Sequence, residues 1–272
     1  MHKITFLLFI SALLLLSTGC STNRFNAYRK LEGYKLRTRF ETDFVVDKAV
    51  SDSRANVVFA MNKARQEVRI FRNTKQINSI GGLGFERTNF QRLTDIGVDT
   101  DGSLLALDSS QKLLRKFSPE GKIIAEMQFN DLRQPELFCV GGDGTLFVYD
   151  AATSEIVCFS PLDSTELYRF GRFELEQPLN LACNRDYLFA YSEAKGCTYV
   201  FYLLGQYKET IFQQTAYDAF NNPVYAYKIM PGYMSVLPKL FNINQDIVTI
   251  TFDSPQIMLY DIIYSRNGDA TQ

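Results

Sequence analysis

A repeat with a period near 42 residues constrains this chain more than any other feature of its sequence. Five apolar segments, 57–62, 104–108, 146–150, 188–192 and 247–251, each end on a short polar residue. Nine positions beyond that residue an aromatic follows every time: Phe71, Phe117, Phe159, Phe201 and Tyr260, spaced by 46, 42, 42 and 59. A unit of this size holds several short strands, and one four-stranded sheet cannot bury both of its faces. Such units must stack on their neighbours around an axis. The pattern therefore predicts an all-β chain, a β-propeller of about five to six four-stranded blades. Five units are countable, while the 253 residues left after a 19-residue leader (272 less 19) leave room for six.

Strands can be placed within a unit. In the second, 95–99 reads as the inner strand, Asp101-Gly102 as a turn, 103–108 and 113–117 as the middle strands, and 122–129 as the outer one. The second strand is almost continuously apolar, as expected where neighbouring blades cover both faces. Asn62, Asp108 and Asp150 stand where a short polar side chain can bond the backbone of the next turn, and they read as hairpin locks. Segment 33–40 is expected to supply a missing strand of the final blade and so hide its edge.

Ile80-Gly81-Gly82 through Phe90, then Gly97-Val98-Asp99-Thr100-Asp101-Gly102, Asp108, and 113–121 form one copy of a recognisable pattern. Gln134-Pro135, Gly142-Asp143-Gly144, Asp150 and Phe159-Ser160-Pro161 form a second, and Phe170-Gly171 to Gln177-Pro178 opens a third. These residues resemble NHL-type and related β-propeller repeats. The resemblance covers about residues 41–265 and implies a propeller domain over 41–272. With no tryptophan in the chain, the tryptophan-marked repeat families are excluded.

The first residues, Met1-His2-Lys3, precede an apolar run from Ile4 to Leu16 and then Ser17-Thr18-Gly19-Cys20. That run is shorter than the ~20 residues that span a bilayer. A charged start, a short apolar core and a small-residue site before cysteine resemble a bacterial lipoprotein signal. The resemblance implies that 1–19 is removed, that Cys20 carries lipid, and that 20–40 is a tether running into the closing strand. Ser21 in place of aspartate points to the outer membrane, so the expected location is the cell envelope, anchored through lipid on Cys20.

Charge and composition narrow the chemistry. A formal net charge of -1 gives no electrostatic basis for nucleic-acid binding. The one histidine, His2, lies in the leader, so the mature chain has no imidazole for base or metal work. The sequence Asp99-Thr100-Asp101-Gly102 begins like a calcium loop, but the twelfth position is Ser110 instead of a carboxylate. Gly81-Gly82-Leu83-Gly84 is not followed by a Lys-Ser/Thr pair and does not form a phosphate cradle. Spacings of 19, 25 and 14 between Cys139, Cys158, Cys183 and Cys197 fit no zinc site. Those cysteines read as small buried hydrophobes, with disulfides permitted by export. No cofactor or metal is expected.

The sequence thus leads to a lipid-anchored, non-catalytic envelope propeller that is not an enzyme and that binds an envelope protein as a scaffold. The alternative is a metal-dependent hydrolase or lactonase that uses axial carboxylates such as Asp47, Asp95 and Glu136 at the start of inner strands. The binding surface is sought in the interval that breaks the period. Its extra residues fall near 213–236 and include Tyr217, Phe220, Tyr225, Tyr227 and Tyr233. Tyrosine supplies contact area and a polar tip at small entropic cost. The same residues would equally serve an insertion packed against the last blade.

Overall fold

The computed structural model describes residues 29–265 apart from 53, 55, 85 and 231–237. Cys20 and Tyr233 lie outside the described residues. Strand β1 (Leu31–Glu41) leads into a first sheet of β2 (Lys48–Asp52), β3 (Val57–Asn62), β4 (Glu67–Arg72) and β5 (Lys75–Gly81). The second sheet comprises β6 (Leu93–Val98), β7 (Leu104–Asp108), β8 (Leu113–Phe117) and β9 (Ile123–Gln128). The third comprises β10 (Pro135–Val140), β11 (Leu146–Asp150), β12 (Glu155–Phe159) and β13 (Glu166–Phe170). The fourth comprises β14 (Asn180–Cys183), β15 (Tyr187–Ser192), β16 (Cys197–Tyr202) and β17 (Tyr207–Ile211). A hairpin, β18 (Thr215–Tyr217) and β19 (Pro223–Tyr225), and a single helical turn α1 (Ala226–Ile229) intervene. The fifth sheet is β20 (Leu240–Asn244), β21 (Ile247–Thr251) and β22 (Gln256–Tyr264), with β1 added outside β22.

All pairings within the sheets are antiparallel, and the inner strands β2, β6, β10, β14 and β20 neighbour one another in that order, with β20 returning to β2. The fold is a five-bladed propeller, and this corrects the allowance for a sixth blade. The long interval before the last unit contributes a hairpin and a helical turn. The N-terminal strand completes a blade already counted. Residues 33–40 fall within β1, where Gly33 pairs with Ile263 and Phe40 with Ile257. First and last segments of the propeller thus share a sheet, which ties the ring together without a covalent link.

Five apolar clusters hold the blades, one per interface. Val57, Phe59 and Ile70 of the first blade meet Leu104, Ala106 and Phe117 of the second. Leu105 and Leu107 meet Leu146 and Phe159 across the next interface, and Phe147 and Ile156 meet Leu188 and Phe201 across the third. Phe189 and Val200 reach the fifth blade's Val248, Ile250 and Tyr260 by way of Ala216, Val224 and Ile229 of the insertion. Ile247, Ile257 and Leu259 then close onto Val58 and Phe71. Successive strand residues point to opposite faces, so second strands buried on both faces read as unbroken apolar runs. The five repeat aromatics are all buried, and each faces the blade before its own.

Two of the hairpin locks bond in two directions. Asp108 accepts N–H bonds from Gln111 in the following turn (3.0 Å) and from Gln91 and Arg92 where the chain enters the blade (2.7 and 3.2 Å). Asp150 does the same with Ala152, Arg133 and Gln134 at 3.1, 2.9 and 2.8 Å. Asn62 accepts from the amide of Arg65 at 3.1 Å. At the opposite end of the blade the turn into β7 needs glycine. Gly102 has φ +88°, and a Cβ there would run into the Asp52 carboxylate.

Candidate functional site

The inner strands enclose an axial cavity of about 500 Å³. Its walls come from all five blades, with Lys48, Ile96, Phe138, Cys183 and Asn242 each lining it from a different one. Side chains of an inner strand pack alternately on the two neighbouring blades, as Leu137 and Cys139 do on blade 4 and Phe138 on blade 2, and polar groups at this rim are tolerated where they are hydrogen-bonded.

The best-built polar contact in this region is a buried ion pair. Lys48 Nζ donates to Asp95 Oδ1 at 2.6 Å, with side chains 5% and 1% exposed. Asp95 also accepts the amide of Ile96 at 2.9 Å and, through Oδ2, the amide of Phe138 at 2.9 Å. One carboxylate therefore joins blades 1, 2 and 3. On the other side of the ring, Asn242 Nδ2 donates to the carbonyl of Ala49 at 3.0 Å and Asn244 Nδ2 to that of Ser51 at 2.6 Å. Asn180 Nδ2 reaches Asn242 Oδ1 at 3.2 Å. Cys139 and Cys183 complete the wall between blades 3 and 4. Burial, and then the neighbouring Cys183, push the Cys139 thiol well above the usual range.

The three acids proposed from sequence do not meet. Asp95 is committed to Lys48 and two amides. Asp47 accepts the amide of Lys63 at 2.7 Å. Glu136 accepts from Arg92 and from Gln134 Nε2, each at 2.6 Å. Among the described residues no group of three His, Cys, Asp or Glu side chains is placed to hold a metal ion. Asp99 and Asp101 both bind Lys116, at 2.6 and 2.7 Å. The four cysteines in the propeller are free thiols.

The insertion is a wedge between blades 4 and 5. Its tip lies at the end of the cavity formed by the turns after the inner strands. There Asn184 Nδ2 donates to the carbonyl of Asp218 (3.0 Å) and to Asn221 Oδ1 (2.9 Å), and Asn221 Nδ2 donates to Asp186 Oδ2 at 2.6 Å. The fully buried Asp218 holds the tip turn by accepting the amides of Phe220 and Asn222 at 2.8 and 2.9 Å. Tyr217 packs on Phe189 and Tyr187 with ring centroids 5.1 and 5.5 Å apart, and Phe220 meets Tyr264 edge-on at 5.0 Å. These two residues are part of the packing.

Tyr225 and Tyr227 differ. They stack on one another at 5.7 Å, Lys228 lies over both rings at 4.8 and 5.8 Å, and Tyr227 is 53% exposed. Register places them at the other end of the propeller. Tyr225 pairs with Thr215, whose amide donates to Thr198 Oγ1 at 3.0 Å, beside the β15–β16 turn. The chain joins the ring at the cavity-tip end instead. Leu31 pairs with Tyr264 there, and the amide of Ile262 donates to Asp246 in the β20–β21 turn at 2.8 Å. The sequence reading missed Lys48. It opens its inner strand where the other blades have Leu93, Pro135, Asn180 and Leu240, so aligning the strand starts would have exposed it.

No protein-family model matches the chain, and no curated protein matches it. Solved structures do share its fold. Virginiamycin B lyase from Staphylococcus aureus, in a catalytically inactive form with quinupristin, is 11% identical with a TM-score of 0.51 over 79% of this chain and 80% of that one. The selenomethionine-substituted lyase is 12% identical with a TM-score of 0.54 over 85% and 100%. The WD40 domain of Pan2 from Neurospora crassa is 8% identical with a TM-score of 0.53 over 87% and 98%. These likenesses extend to the β-propeller fold. They also correct the expectation that the chain is not an enzyme, because the proteins that share its fold include one. At 11–12% identity that likeness is weak ground for assigning a reaction.

Proposed function

We propose that this chain is a bacterial lipoprotein with NHL-type repeats, held at the outer membrane by lipid on Cys20, and that its propeller is a scaffold for an envelope protein partner. The observation that carries the reading is the stacked, solvent-facing Tyr225–Tyr227 pair on an insertion anchored between two blades. Aromatic side chains on a firm support lose little entropy on binding and are the side chains on which interface energy concentrates. Leu31, eleven positions after Cys20, enters the ring at the end away from the tyrosine pair, which leaves the tyrosine end clear of the entering chain.

The test is capture of the partner from detergent-solubilised envelopes by the tagged lipoprotein, followed by rebinding of the purified partner. The double substitution Tyr225→Ala with Tyr227→Ala is expected to weaken rebinding roughly tenfold or more while the thermal midpoint moves by only a few degrees, because neither ring belongs to an interblade cluster. Undiminished rebinding by a folded double variant would place the partner elsewhere.

A further inference from the structure

Cys139 and Cys183 occupy adjacent inner strands, β10 and β14, which belong to different sheets and share no ladder hydrogen bonds. Both line the axial cavity and both belong to the apolar cluster between blades 3 and 4. The strands β10 and β14 pack directly on one another, and the thiol of Cys183 bears on that of Cys139, so the two side chains are neighbours in one wall. Cys158 and Cys197 are buried and do not line the cavity. Among the described cysteines, only this pair combines neighbouring strands with a route for a reagent.

We propose that Cys139 and Cys183 are a redox pair that closes to a disulfide between blades 3 and 4 when a disulfide oxidant reaches the channel. Cys183, the more exposed of the two, gives up its proton and its sulfur attacks one sulfur of the oxidant. A mixed disulfide forms, the oxidant's S–S bond breaks, and the departing sulfur takes up a proton. Cys139 then gives up its proton, and its sulfur attacks Cys183 Sγ and displaces the second oxidant sulfur as a thiol. Two protein thiols are oxidised by two electrons, and one oxidant disulfide is reduced to two thiols. Burial holds the Cys139 thiol up, which leaves Cys183 as the first attacker.

The product would join two blades whose inner strands are linked only through the chain in between, and it would do so in the wall of the cavity. The chemistry is intrinsic to the propeller, so its test separates from that of the lipid-anchored scaffold. The full-length chain, folded in detergent, is incubated with glutathione disulfide, unfolded in iodoacetamide and digested without reduction. The expected product joins the Cys139 and Cys183 peptides, with a mass about 2 Da below the sum of the free pair. The thermal midpoint of the oxidised protein is expected to rise by roughly 5–15 °C and to fall back on reduction. With Cys139→Ser, a glutathione adduct is expected to persist on Cys183; with Cys183→Ser, Cys139 is expected to stay free. Should either variant fail to fold, the wild-type map decides. Separately alkylated Cys139 and Cys183, a stable glutathione adduct on wild-type Cys183, or a link from either residue to Cys158 or Cys197 would overturn the proposal.

Discussion

Replacing Asp95 with alanine removes three bonds at once: the Lys48 ammonium loses its counter-ion, and the amides of Ile96 and Phe138 lose their acceptor. Breaking a buried pair by deleting one partner costs about 3–5 kcal/mol, because the other charge stays behind in a low dielectric. An orphaned buried amide adds about 1–3 kcal/mol where no water reaches it. Lys48 lines the axial cavity, so its ammonium can turn toward solvent, which favours the lower end of the range. We expect about 3 kcal/mol overall for Asp95→Ala, or a drop in thermal midpoint of roughly 6–12 °C for a domain of this size. Urea unfolding of Asp95→Ala, Lys48→Met and the double variant Lys48→Met with Asp95→Ala completes a cycle. The double variant should cost at least about 1 kcal/mol less than the sum of the singles, since it leaves no unpaired charge. Burial also makes the coupling insensitive to salt, unlike a surface pair. Additive single effects, or an Asp95→Ala cost below about 1 kcal/mol, would refute the view that this carboxylate fastens three blades.

Three further outcomes are expected. Phe117→Ala, at a fully buried ring in the interface between blades 1 and 2, should cost about 3–5 kcal/mol in denaturant unfolding; a cost under 1 kcal/mol would contradict its place in the core. Cys20→Ser should leave an unprocessed or soluble precursor on membrane fractionation, and a mature-sized variant that still sediments fully with membranes would count against lipid attachment at that residue. Burial first, and the nearby Asp218 carboxylate second, hold Tyr34 and Tyr264 above the ordinary phenol range. Since the folded values exceed the unfolded one, their contribution to stability is complete below about pH 10 and is lost as pH rises through the folded values. An alkaline titration followed by tyrosinate absorbance should therefore show these two rings ionising only with unfolding.

The blades were legible because each second strand is covered on both faces and each third strand carries an aromatic turned to the preceding blade, a signal that survives in a single sequence. The last blade shows how such a signal can mislead in detail. Thr251 reads as its polar lock, yet Val248, Ile250 and Phe252 face blade 4 while Ile247 faces blade 1, so Phe252 occupies the lock's place. Thr251 pairs with Ile257 where Asn62 pairs with Glu67, a turn one residue longer on that count. The two displacements cancel, and Tyr260 still lands facing the preceding blade. Blade number was harder to read, because a hairpin wedge and a sixth blade draw on the same residue types, and only contacts distinguish them. The bond from Asn184 to the Asp218 carbonyl and the packing of Tyr217 on Phe189 are of that kind. The axial groups were harder still. Lys48 and Asp95 lie 47 residues apart and Cys139 and Cys183 lie 44 apart, each pair about one repeat away in sequence and therefore one blade away in space. In a propeller, contacts around the axis recur at the period of the repeat, so polar or nucleophilic residues at matching inner-strand positions of adjacent units form the pattern to search for.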